Sequence, residues 1–128
     1  MALERDEPPP GDYRVEGFAG KAIVVGGQPR MSAFLICRDI FVESSAEVVT
    51  DLAMSDFDPV LTRDAPPEVL LIGSGAAMAW PDRDLLGQLR DRGAMPEVMD
   101  SRAAARTYNL LLSEARDVAA LILPLSAD

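Results

Sequence analysis

The chain has 128 residues, 48% apolar and 26% charged, a size and balance that suit one compact domain with its own core. Its formal charge of −9 argues against nucleic acid as a partner and against direct adsorption to anionic membranes, because both attractions rest on Lys and Arg. The absence of histidine removes the commonest general base and nitrogen ligand, and one cysteine, Cys37, allows neither an internal disulfide nor a Cys-rich metal site.

The first twelve residues combine Glu4, Asp6, Glu7 and Asp12 with Pro8, Pro9 and Pro10 and are expected to form a disordered acidic tail, leaving residues 13–128 as a single domain. They carry no secretory or organelle-import pattern, so a cytoplasmic protein is expected. No apolar run is long enough to cross a bilayer, which leaves no direct membrane insertion.

From Gly17 to Glu43, short apolar runs alternate with turn residues. Lys21 to Val25, Met31 to Cys37 and Ile40 to Val42 read as strands, with Gly26-Gly27 supplying positive φ for a tight turn and Arg38-Asp39 marking the next break. Sequential antiparallel pairing is expected throughout this half. Glu47-Val48-Val49-Thr50 reads as a further strand. Cys37, in the middle of an apolar run, is expected to be a core residue and not a nucleophile.

A short helix is expected from Ser55 to about Arg63. Pro66-Pro67 then forbids helix and launches Glu68 to Ile72, the apolar kind of strand that is covered on both faces. The glycines of Gly73-Ser74-Gly75 let the chain turn sharply off that strand. They do not complete a dinucleotide fingerprint, whose third glycine falls on Met78, and no cofactor is expected.

Pro81-Asp82-Arg83-Asp84 opens a helix that buries Leu85, Leu86 and Leu89 and stops at Gly93. A strand from Met95 to Met99 leads to Asp100 and Ser101, either of which can cap a helix running to about Ala115. Val118 to Leu123 is the closing strand, stopped by Pro124. Glu68 to Pro124 is thus a βαβαβ unit of parallel strands with right-handed crossovers, joined to the antiparallel N-terminal strands in one α/β domain.

At about 100° per residue, Arg102, Arg106, Asn109, Ser113 and Arg116 share one narrow stripe of the last helix. Ala103, Ala104, Tyr108, Leu110, Leu111, Leu112 and Ala115 fill the rest, so burial on three sides is expected. The stripe is read in two ways. It is either a solvated edge or, with Asp100, Arg102 and Arg106 beside a strand end, the wall of a ligand crevice in which Arg106 grips a carboxylate, a ligand's or that of Asp100. Glu114 projects from the apolar arc and calls for a buried ion pair, whereas Arg116 suits the negative helix end. Tyr108 reads as a core aromatic with a satisfied hydroxyl.

Glu97-Val98-Met99-Asp100, Ala103 to Leu111 and Glu114 to Ala120 resemble the family of mitochondrial respiratory complex I assembly factor 3 and its small prokaryotic relatives, as does Val69 to Gly75 upstream. The resemblance implies a three-layer β/β/α single domain and a non-catalytic role, exercised through a protein partner, in assembling or stabilising a respiratory or other membrane complex. Carried over by position, it singles out Asp100, Arg106, Thr107, Tyr108, Asn109, Glu114 and Arg116. The family pattern has Cys at the position of Ala105, Thr at Ser101 and Gly at Ala115, so a thiol-dependent reaction finds no thiol there.

With no mitochondrial leader, a bacterial cytoplasmic relative is expected. Ligand or partner candidates are Asp100, Arg102, Arg106, Tyr108 and Asn109, ion-pair candidates are Glu114 and Arg116, and no catalytic or metal-binding residue is assigned. The alternative function is a carboxylate- or anion-binding protein, or a modest enzyme, using a crevice near Asp100 and Arg106. A third reading is a homo-oligomer joined through exposed apolar residues such as Trp80.

Overall fold

The computed structural model describes residues 13–126, and the acidic segment 1–12 lies outside the described residues. The chain begins with β1 (Val15–Ala19), β2 (Ala22–Val25) and β3 (Gln28–Arg30), an antiparallel three-stranded sheet in the order β1-β2-β3. The β2–β3 turn is Gly26-Gly27 at φ +65° and +75°, a pair of left-handed residues of the kind a two-residue hairpin turn requires.

Next, β4 (Ala33–Cys37) and β5 (Ile40–Ser44) pair with each other but not with β3. Sequential pairing therefore stops at Met31-Ser32, where the chain leaves one sheet for another. Every residue of β4 is buried, and so continuous an apolar strand needs cover on both faces and partners on both edges. It takes the second partner from the far end of the chain, with Phe34 opposite Ile122 and Cys37 opposite Ala119 in an antiparallel ladder.

The strand expected at Glu47–Thr50 is absent. A 3-10 turn, Val49–Asp51, stands there instead. The Asp51 carboxylate accepts from the amides of Glu47 and Val48 at 3.1 and 3.2 Å, capturing donors that a ladder would have needed. A second 3-10 turn, Met54–Phe57, runs into α1 (Asp58–Leu61), matching the short helix expected after Ser55.

The C-terminal unit follows the sequence reading closely. In chain order it is β6 (Val69–Gly73), α2 (Arg83–Asp91), β7 (Pro96–Met99), α3 (Ser101–Ser113) and β8 (Val118–Ile122). β6 lies parallel to both β7 and β8, which completes a five-stranded sheet in the order β5-β4-β8-β6-β7.

On one face of this sheet α1, the 3-10 turns and α2 bury Phe57, Val60, Leu85 and Leu89 against Leu35, Leu70, Ile72 and Leu121. On the other face α3 and the small sheet bury Tyr108, Ala104, Ile23 and Val25 against Phe34, Ile36, Leu71 and Ala120. The α/β fold class and its three layers hold, with α3 sharing the layer of the small sheet.

α3 is capped at its C-terminal end by Glu114, and the next residue, Ala115, closes the turn at φ +61° with its amide donating to Leu112 O. The left-handed region is one that glycine enters freely and alanine enters at a cost. Ala115 is exposed, so Ala115→Gly removes no packing, and it is expected to raise stability by about 1 kcal/mol. Chemical denaturation reads this directly, and an unchanged or lowered midpoint would show that the backbone there is unstrained.

Candidate functional site

α3 is the element that gathers most of the candidate residues, and its first turn is built from two side chains with separate tasks. The Asp100 carboxylate caps the helix, accepting from Ala103 N at 2.9 Å. Ser101 is fully buried. Its hydroxyl donates to Leu123 O at 2.7 Å and accepts from Gly75 N at 2.8 Å, while its own amide donates to Gly75 O at 2.8 Å.

These bonds tie the segments that leave β6, β7 and β8 into one knot. Ser74 N donates to Met99 O and Leu123 N to Gly73 O, each at 2.8 Å. Gly73 is needed because a Cβ there would stand 2.9 Å from Ser101 Cα and 3.0 Å from Ala104 Cβ. The helix start therefore sits directly on the end of β6. The place where open α/β sheets receive ligands, outside the carboxyl ends of parallel strands, is occupied by the protein itself.

The hollow that Arg106 borders is lined by residues of β1 and α3 other than Asp100, and among the described residues Arg106 forms no ion pair with Asp100, whose carboxylate serves the helix cap. Ser101 is the residue the sequence reading undervalued, treating it only as an alternative cap. The signal available was a serine at the first position of a helix that starts two residues after the end of β7.

One to two turns further on, α3 holds the small sheet. The Asn109 amide works like a short strand partner, accepting from Val15 N at 3.0 Å and donating to Val15 O at 2.7 Å. Tyr108 is buried and donates its hydroxyl to Tyr13 O at 2.8 Å. Burial pushes that phenol well above its ordinary pKa, so it remains a neutral donor at any physiological pH.

Arg102 lies over the Phe18 ring with its guanidinium carbon 4.9 Å from the centroid. Arg106 borders a hollow of about 120 Å³ with Ala105, Asn109 and the Val15–Phe18 stretch of β1. Three of the five candidates, Arg102, Arg106 and Asn109, thus face β1. Tyr108 lies beneath them, and Asp100 stays at the helix start.

Burial of α3 on three sides does not hold, since Leu110 is 57% exposed. Glu114 is exposed at the helix end and has no ion-pair partner among the described residues, so the expected buried pair is absent there. The chain turns at Ala115 before Glu114 can be drawn inward. Arg116 does pair, with Glu68 at 2.9 Å, and that hydrogen bond holds the Glu68 carboxyl below its ordinary range.

At the opposite end of the parallel strands, Cys37, Arg38, Asp39, Arg63 and Ala115–Val118 surround a hollow of about 350 Å³. Its charges are largely matched, Arg63 meeting Asp117 at 3.1 Å. Burial raises the Cys37 thiol, which also donates to Asp39 Oδ1 at 3.4 Å, the reverse of what activates a nucleophile. Among the described residues no group of acidic or cysteine side chains is placed to hold a metal ion, and no helix is long and apolar enough to cross a membrane.

These features define a small α/β protein with a self-filled strand-end crevice and a cationic helix face beside an edge strand. The chain belongs to the family described as a protein of unknown function (DUF498/DUF598), whose model matches residues 15–123.

The likeness to complex I assembly factor 3 also holds. The Xenopus tropicalis NADH dehydrogenase [ubiquinone] 1 alpha subcomplex assembly factor 3 is 22% identical over 110 residues, 86% of this chain and 60% of that protein. A Francisella tularensis protein named 13 kDa major membrane protein is 32% identical over 75 residues, 59% of each chain. A Bordetella parapertussis protein of known crystal structure superimposes with a TM-score of 0.79 at 28% identity, covering 91% of this chain and 99% of that one. The chain spans between about a third and three fifths of the length of the curated relatives it matches.

Proposed function

We propose that the protein is a non-catalytic partner-binding module that helps to assemble or stabilise a respiratory or other membrane complex from the cytoplasmic side. The observation that carries this reading is the alignment with the Xenopus tropicalis complex I assembly factor 3 over 86% of the chain. The filled strand-end crevice supports it, because the position where a small substrate would enter an α/β sheet is taken by Ser101 and Gly75.

Affinity capture of the tagged chain from its native host under gentle solubilisation tests the reading. Subunits of one membrane complex, or other factors acting on it, are expected to be enriched together. Recovery of none of these in repeated captures counts heavily against it.

A further inference from the structure

The surface of α3 is at odds with the charge of the molecule that carries it. The chain has a net charge of −9, yet Ser101 to Ser113 contains Arg102 and Arg106 and no carboxylate. Both arginines are exposed, and Arg102, Arg106 and Leu110 stand at successive i, i+4 positions, so two cations and an exposed apolar side chain follow one another along the helix.

The ground beside them is prepared in a way that a random surface is not. Arg102 is held over Phe18, which keeps the guanidinium edge outward while its flat face is occupied. Asn109 has spent its amide on Val15. Among the described residues the one carboxylate bordering the small hollow, Glu16, is turned toward the β2–β3 turn, where its Oε1 accepts from Gly27 N at 2.8 Å. Neither arginine takes part in an ion pair among the described residues. Among the described residues no strand covers the outer edge of β1.

We propose that the face formed by β1 and α3 docks an acidic segment of a protein partner, which directs carboxylates to Arg102 and Arg106 and an apolar side chain to Leu110. This rests on the partner-binding reading and names its surface. The hollow of about 120 Å³ beside Ala105 suits a single Asp or Glu side chain and is too small for a metabolite of ordinary size. Charge complementarity selects the partner: an acidic protein repels other acidic surfaces everywhere except where its own cations gather.

The test uses the full chain and two short labelled peptides, one of Glu, Asp and Leu and the other with Lys at every acidic position, read by fluorescence anisotropy at low and moderate salt. The acidic peptide is expected to bind and the lysine peptide not to. Arg102→Glu with Arg106→Glu is expected to weaken binding about tenfold or more, whereas Arg83→Glu with Arg90→Glu on α2, an identical change in net charge, leaves it within about twofold. Circular dichroism checks that each variant is folded, and Arg106→Gln supplies a milder change of the same sense.

Equal loss in the two double variants would overturn the proposal by reducing it to net charge. So would binding of both peptides alike, or an arginine-dependent self-association that makes the occupant a second copy. Repeating the affinity capture with the Arg102→Glu, Arg106→Glu variant separates the two readings. Partners retained by that variant sink the proposed surface and leave the assembly role standing, whereas partners absent even for the unaltered chain sink the role itself.

Discussion

Ser101→Ala is expected to lower the unfolding free energy by about 3 kcal/mol. The serine hydroxyl is fully buried and is both a donor, to Leu123 O at 2.7 Å, and an acceptor, from Gly75 N at 2.8 Å. Alanine leaves a buried N–H and a buried C=O without that partner, and each such group costs about 1–3 kcal/mol. The void left by one oxygen is too small for a water molecule to repair both bonds.

Ser101→Thr keeps the hydroxyl and with it both hydrogen bonds, so it is expected to stay within about 1 kcal/mol of the parent. Urea denaturation of the three proteins measures the series. An alanine variant as stable as the threonine one would mean that the hydroxyl does not hold the strand ends together.

Asn109→Ala comes second, with an expected loss of about 2 kcal/mol, because it breaks two hydrogen bonds to the backbone of Val15, a residue only 5% exposed. The damage should be local. Amides of β1 and β2 are expected to exchange with solvent well before those of β6 and β8, since α3 grips the small sheet through this side chain and through the Tyr108 hydroxyl. Asn109→Asp keeps the acceptor for Val15 N but loses the donor to Val15 O, and should fall between the two. A loss below about 0.5 kcal/mol is what a solvated surface position gives, and it would place Asn109 among those.

The elements from β6 to β8 were legible because their punctuation is local. Pro66-Pro67 forbids helix just before β6, Asp82 caps α2 by accepting from Asp84 N, Gly93 ends it at φ +88°, and Pro124 follows β8. The change of sheet at Met31-Ser32 left no such mark. The turn signals are alike whether the next strand pairs with the last one or departs, and the partner that β4 gains lies at Val118–Ile122. At Glu47–Thr50 the β-branched residues spoke for a strand, and a single carboxylate two positions beyond Val49 outweighed them.

For the candidate site, helical periodicity correctly set Arg102 and Arg106 outward. It also set Asn109 outward, which is true of the angle around the helix, yet the small sheet arrives on that side and converts the same direction into an anchor. Leu110 and Glu114 were misjudged for the complementary reason: the pattern shows which faces are apolar or polar, and not how far the neighbouring layer extends to cover them.

The position of β8 bears on how the molecule is made. It lies between β4 and β6, and it is synthesised after all seven other described strands. Until it emerges from the ribosome, the larger sheet exists as two fragments, the β4–β5 hairpin and the β6–β7 pair, each with an apolar edge waiting for the same missing strand. Such edges invite pairing with other chains. A protein whose proposed work is to keep other subunits from going astray during assembly must itself pass through an interval in which its own halves are unjoined, and the last strand to be made is what ends it.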